Sequence, residues 1–323
     1  MKHSPASRRR HASRSRSSMR AIFRRIPVTI IALAGVGLLL YPDAANWFAA
    51  RAHATSTNSY AEKLDDLSAS ERAESLERAR TYNTRIGVQT LTDPYTDVAE
   101  VAATSDEYLD QLHVPGSDVM ARIRIPAIDI SLPIRHGTSD DSLLEGVGHL
   151  QGSSLPVGGT STNAVLTGHS GLPGAALFTP LHDLDEGDLI FIDVLGETLA
   201  YQAFDFATVV PTETDRLRIV NGEDYLTLIT CTPIGVNSHR IIIRASRVDL
   251  PDDTRPEDTV APDEIPFPWW VIMLSAVSVT AGLYLMWPAI ARGRLARRGR
   301  LARRHTFVEV DGRSRSRRRH LLS

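Results

Sequence analysis

The chain has 323 residues, 42% apolar and 23% charged, which is enough for one or two domains and is ordinary for a globular rather than a disordered protein. Its formal net charge of −2 hides a segregation: residues 1–25 hold nine basic residues and no acid, and residues 291–323 hold twelve Arg against Glu309 and Asp311. Between them, residues 26–290 keep 15 basic residues against 36 acids, and because each basic tail abuts an apolar run, a simple soluble cytoplasmic protein is excluded.

The first element after the basic tail 1–25 is the uncharged run Ile26 to Tyr41, sixteen residues, which predicts a transmembrane helix or signal-anchor over 26–42. Ala50, Ala52 and Ala54 leave a cleaved signal peptide as the alternative. Residues 43–118 read as helical and extracytoplasmic. Leu64, Leu67, Leu76 and Ala79 recur at roughly helical spacing, no glycine interrupts 44–86, and Ser68 or Ser70 can cap a second helix. That helix should end near Gly87. Leu91-Thr92-Asp93-Pro94-Tyr95 then reads as a turn or loop, because the residue before proline is pushed out of the helical region, and a short helix follows within 97–111.

From Met120 the period shortens toward two. Strands are predicted at 122–125, 128–132, 163–167, 188–194, 198–206, 225–230 and 240–248, with a glycine-rich connection over 137–159 that holds one helical turn at Ser139–Leu144. Seven or eight such strands predict a mainly β fold, a closed or nearly closed barrel over 119–250. A Pro-rich acidic tether follows at 251–264. The second apolar segment, 265–290, contains the uncharged run Pro266 to Ile290 with Trp269, Trp270 and Trp287 near its ends, and the basic tail 291–323 closes the chain. The positive-inside rule places both tails in the cytoplasm and the acidic middle outside, in a multi-pass cell-membrane protein. Arginine beside a span sets topology and meets anionic lipid, so a bilayer rather than nucleic acid is the expected partner.

Chemistry centres on the single cysteine. Cys231 ends the strand-like run Tyr225–Cys231; with no second cysteine it is either a buried small hydrophobe or a thiol kept free for reaction. A thiol needs a base, and among eleven histidines His169 is distinctive in following a strand between glycines, in Thr167-Gly168-His169-Ser170-Gly171. His136, His149, His182 and His239 have ordinary surface or core settings, and no histidine spacing suits zinc. Arg240 opens the strand after Cys231, where a guanidinium can hold a carbonyl or oxyanion; taken alone it reads equally as an exposed strand-end arginine.

Together these residues resemble the sortases, cysteine transpeptidases of Gram-positive surfaces. Thr167-Gly168-His169, Thr227-Leu228-Ile229-Thr230-Cys231 and Arg240 match the family's catalytic His, TLxTC and Arg motifs in order, over about 120–248. Asp93-Pro94-Tyr95 resembles the lid of the class C, pilus-assembling sortases. The upstream helices, the second apolar segment and Leu155–Gly159 match that class as well. The resemblance implies a sortase-type β-barrel with His169, Cys231 and Arg240 catalytic, Thr230 binding substrate, and Asp93, Pro94 and Tyr95 lying across the site, where Asp93 can pair with Arg240 and the Tyr95 ring can cover the sulfur of Cys231. It further implies an LPxTG-like sorting signal as substrate, a Cys231 thioester, a pilin lysine as acceptor, and neither metal nor organic cofactor. The alternatives are a housekeeping sortase that anchors proteins to peptidoglycan precursor, a hydrolytic cysteine peptidase, and a catalytically silent membrane-anchored scaffold.

Overall fold

The computed structural model describes residues 6–86, 91–95, 105–251, 263 and 265–287, with side chains from Phe23 onward. The tail 291–323, nearly all of the tether and most of the 97–111 segment lie outside the described residues. Two compact units are present, Pro42–Phe267 and a second made of Met1–Tyr41 with Pro268–Ser323.

The second unit holds the part of helix α1 (Ala6–Asp65) up to Tyr41 and a C-terminal helix (Trp269–Trp287), and each of these two helices has a stretch long and apolar enough to cross a bilayer. Arg25 donates to the Tyr284 carbonyl oxygen at 2.7 Å, and its guanidinium lies 4.5 Å from the centre of the Tyr284 ring.

In the unit Pro42–Phe267, eight strands close a barrel. They are β1 (Val119–Ile125), β2 (Ile130–His136), β3 (Val147–His149), β4 (Thr162–Thr167), β5 (Leu189–Val194), β6 (Glu197–Val209), β7 (Asp224–Thr232) and β8 (His239–Val248), in the order β1-β2-β3-β4-β7-β8-β6-β5. The pairs β2/β3 and β4/β7 are parallel and the rest antiparallel. Alternation sends Ile123, Ile134, Leu166, Leu226, Leu228 and Ile243 to the barrel core, where burial of each large aliphatic side chain contributes about 1.5–3 kcal/mol. At the closing seam Asp193 of β5 accepts from Arg122 at 2.9 Å and from Arg124 at 2.7 and 3.0 Å, so the strands meet through paired rather than lone charges.

Two departures from the expected strands have local causes. Residues 126–128 form a 3-10 turn, and Asp129 adopts φ 53°, so β2 begins at Ile130 rather than at 128. Strand β3 escaped prediction because its neighbourhood reads as loop. A side chain at Gly146 or Gly148 would place Cβ 2.5 Å from the Pro133 or Gly137 carbonyl oxygen, so glycine is what lets this strand pair.

The helices brace the barrel. Ser68 and Glu71 form a reciprocal capping box at α2 (Ala69–Ile86), with the Glu71 N–H donating to Ser68 Oγ at 3.2 Å and the Ser68 N–H to Glu71 Oε2 at 2.8 Å. Tyr60 of α1 donates to the Met120 carbonyl and accepts from the Leu195 N–H, while Asn83 of α2 exchanges two hydrogen bonds with the Leu155 backbone. Short helices α3 (Asp106–Leu109) and α4 (Asp140–Leu144) complete the unit; α4 occupies the predicted turn with Ser139 as its cap.

Tyr108 of α3 reaches the buried imidazole of His149. His149 Nε2–H donates to the Ser154 carbonyl at 2.9 Å, so Nδ1 accepts from the Tyr108 hydroxyl, also at 2.9 Å. Burial lowers the His149 pKa to about 4. The unfolded chain binds this proton near pH 6.5 and the folded one does not, so the stability it contributes is complete above about 6.5 and is lost as pH falls toward 4. The urea midpoint of the detergent-solubilised chain should fall across that window, and less steeply in His149→Gln.

Candidate active site

The site is built at one end of β4, β7 and β8. On β7, Leu226 and Leu228 point into the barrel, so Ile229 and Cys231 point out. Cys231 pairs directly with Arg240 of β8, and Arg240 pairs onward with Val209 of β6. On the other side β4 runs parallel to β7 with Thr167 opposite Ile229, and the Gly168 N–H continues the ladder to the Ile229 carbonyl at 3.2 Å. Carried two residues further, that register brings His169 level with Cys231. Glycine is required at 168 because a Cβ there would lie 2.9 Å from the Phe178 ring.

Thr230 points inward and is buried. Its hydroxyl donates to the Gly168 carbonyl at 2.7 Å, tying the end of β7 to the base of the His169 loop.

Across the mouth lies the segment Leu91–Tyr95. Asp93 takes one edge of the Arg240 guanidinium through both carboxylate oxygens, with Nε to Oδ1 and a terminal nitrogen to Oδ2 each at 2.8 Å, and the two side chains are only 5% and 9% exposed. The remaining terminal nitrogen donates to the Asn237 and His239 carbonyls at 2.9 and 3.1 Å. Pro94 is buried beside Asp93. The Tyr95 ring lies 5.0 Å from the Arg240 guanidinium carbon and 5.8 Å from the His169 ring centre, and its hydroxyl donates to the Gly168 carbonyl at 2.6 Å. Leu91 and Tyr95 fill an apolar strip on the outer face of the barrel, made by Val165, Ile229, Ile242 and Leu217. Sequence reasoning anticipated the ion pair, but it missed this strip and the Tyr95 hydroxyl contact.

Electrostatics follow from this closure. Burial pushes the Cys231 thiol up and the Asp93 carboxylate adds to that, while Arg240 opposes both. Burial pushes His169 down, against a smaller upward pull from Asp140. At neutral pH the closed site therefore rests as neutral thiol and neutral imidazole, with its cation already engaged. Of the other histidines named from the sequence, His149 and His136 are hydrogen-bonded to backbone carbonyls and exposed His182 sits beside Asp183, while His239 adjoins Arg240, with its Nδ1 2.9 Å from the Ser238 hydroxyl.

A sortase-domain family model matches residues 123–248. Over 154 residues the chain is 30% identical to sortase A of Bacillus anthracis, a match covering 47% of this chain and 67% of that protein. Among solved structures it is similar to sortase C-1 from Actinomyces oris, at 46% identity over 56% of this chain and 99% of that one, with a TM-score of 0.53. It is also similar to a Streptococcus pneumoniae sortase C studied for its pilin substrate specificity, at 38% identity over 58% and 94% of the two chains, with a TM-score of 0.54.

Proposed function

This chain belongs to the sortase family of cysteine transpeptidases, and from that premise we propose that it is a membrane-anchored, pilus-type member that polymerises pilins. The observation that carries the pilus-type reading is the lid: a carboxylate and an aromatic ring from one short segment occupy Arg240 and flank His169. The basic tails flanking two apolar helices support a multi-pass topology with both termini inside and the barrel outside.

On this reading an LPxTG-like signal enters as the lid leaves, its apolar residues taking the strip that Leu91 and Tyr95 vacate. Cys231 gives its proton to His169 as Sγ attacks the Thr carbonyl carbon, and Arg240, released from Asp93, holds the oxyanion. The C–N bond breaks, the amine takes a proton from His169, and a thioester remains. A pilin lysine amine then attacks the thioester, gives its proton to His169, and expels the Cys231 thiolate, leaving an isopeptide bond.

The test incubates the detergent-solubilised chain, wild type, Asp93→Ala and Cys231→Ala, with an LPxTG peptide and a lysine-bearing pilin domain, followed by intact mass. We expect an acyl adduct that resolves into a peptide-to-lysine conjugate, with both products reduced at least about 10³-fold in Cys231→Ala. An adduct resolved only by water or by a peptidoglycan-like amine would replace polymerisation with hydrolysis or anchoring. No adduct even in Asp93→Ala would leave a silent scaffold.

A further inference from the structure

The TLxTC run contains a second threonine, Thr227, that the mechanism does not use. It is fully buried, one β-repeat below Ile229 on the outer face, and its hydroxyl donates to Asn163 Oδ1 at 2.8 Å. Asn163, on β4 and equally buried, directs its amide nitrogen at the β6–β7 loop, toward the carbonyls of Leu217 at 3.0 Å, Arg218 at 3.4 Å and Arg216 at 3.5 Å. An amide has one accepting and one donating end. The Thr227 O–H fixes the oxygen toward β7 and so forces the N–H groups toward the loop. Leu217, on the short 3-10 turn Asp215–Leu217 that these bonds hold, belongs to the apolar strip occupied by Leu91 and Tyr95. The same turn is anchored a second time through Arg216, which pairs with Asp205 of β6.

We propose that Thr227 and Asn163 form a positioning relay that sets the β6–β7 loop, and through Leu217 the width of the apolar strip beside Cys231. They thereby determine selectivity for the sorting signal's leucine without touching it. This rests on the sorting-signal reading above. It differs from a general packing role in its dependence on one hydroxyl: valine matches threonine in shape but offers the amide no donor.

The experiment measures acyl-adduct kinetics per titratable Cys231 in the full-length chain, using an LPxTG peptide and its Leu→Ala analogue. For Thr227→Val we expect KM for the leucine peptide to rise about tenfold, as for loss of one buried hydrogen bond, with kcat within about twofold and the leucine-over-alanine preference reduced by a similar factor. Thr227→Ser, which keeps the hydroxyl, should restore both. The proposal is overturned if Thr227→Val keeps the wild-type KM and preference, or if Thr227→Ser behaves like Thr227→Val. Should Thr227→Val fail to fold, Asp205→Asn loosens the same loop from a partly exposed ion pair; an unchanged preference there would likewise overturn it. A wild type that forms no adduct with either peptide removes the sortase reading itself, whereas a normal wild type with unaltered variants removes only the relay.

Discussion

Arg240→Lys is expected to slow Cys231 acyl-adduct formation about 10²- to 10³-fold, the usual cost of losing an oxyanion donor, while making the sulfur more accessible to a small thiol reagent. The opposite signs follow from the geometry. The guanidinium bonds Asp93 through two nitrogens of one edge and the Asn237 and His239 carbonyls through the third nitrogen, and β8 pairing fixes it opposite Cys231. A lysine ammonium is a point charge on a flexible stem and cannot span both carboxylate oxygens and the loop carbonyls at once. The lid therefore loses its bidentate anchor, and the reacting carbonyl loses its fixed donor. Measuring peptide adduct and reagent labelling on the same preparation separates the two effects. Adduct formation within about tenfold of wild type would reduce Arg240 to a latch for the lid and assign the oxyanion to another donor.

How far such a site can be read beforehand depends on which contacts are local. Strands facing a core on one side announce themselves by alternation, as at Arg122–Ile125, or by an apolar run bounded by turn residues, as at Asp188–Val194, and the order of Gly168-His169, Thr230-Cys231 and Arg240 marks the ends of three strands that pair. The Asp93–Arg240 pair joins residues far apart in the chain and was legible only through the resemblance of Asp93-Pro94-Tyr95 to a lid, with carboxylate and guanidinium complementary once the chain brings them together. Strand β3 was hidden because its glycines serve the backbones of Pro133 and Gly137, neighbours known only once the sheet is built. Asn163 was hidden more deeply. A lone asparagine in an apolar strand gives no periodic signal, and its partners lie more than fifty residues away in a loop with no regular pattern. Tyr95 sits between these cases: its ring was expected over the site, but its hydroxyl contact with Gly168 depends on how far β4 extends past Thr167.

Removing the lid's carboxylate should have the second large effect. Asp93→Ala is expected to raise the rate of Cys231 labelling by a small thiol reagent about 10- to 100-fold near neutral pH, through two additive causes. Opening increases the fraction of molecules that present the sulfur, and apparent reactivity scales with that fraction. The carboxylate that raises the Cys231 thiol is also gone, leaving Arg240 free to lower it, so the curve of rate against pH should shift toward lower pH. Tyr95→Phe isolates the smaller contribution. It keeps the ring over Arg240 and beside His169 but deletes the hydroxyl that donates to Gly168, and one net hydrogen bond predicts a rise of only about three- to tenfold with no shift of the pH curve. Because Thr230 still donates to that same carbonyl, Gly168 is not left unsatisfied in Tyr95→Phe, and the loop carrying His169 should keep its position. Labelling rates from about pH 6 to 10, a range spanning the ordinary thiol pKa, should therefore rank Asp93→Ala above Tyr95→Phe above wild type. Equal rates in all three would mean that the segment Leu91–Tyr95 does not govern access to Cys231, and the lid would have to be given up as the regulatory element of this enzyme.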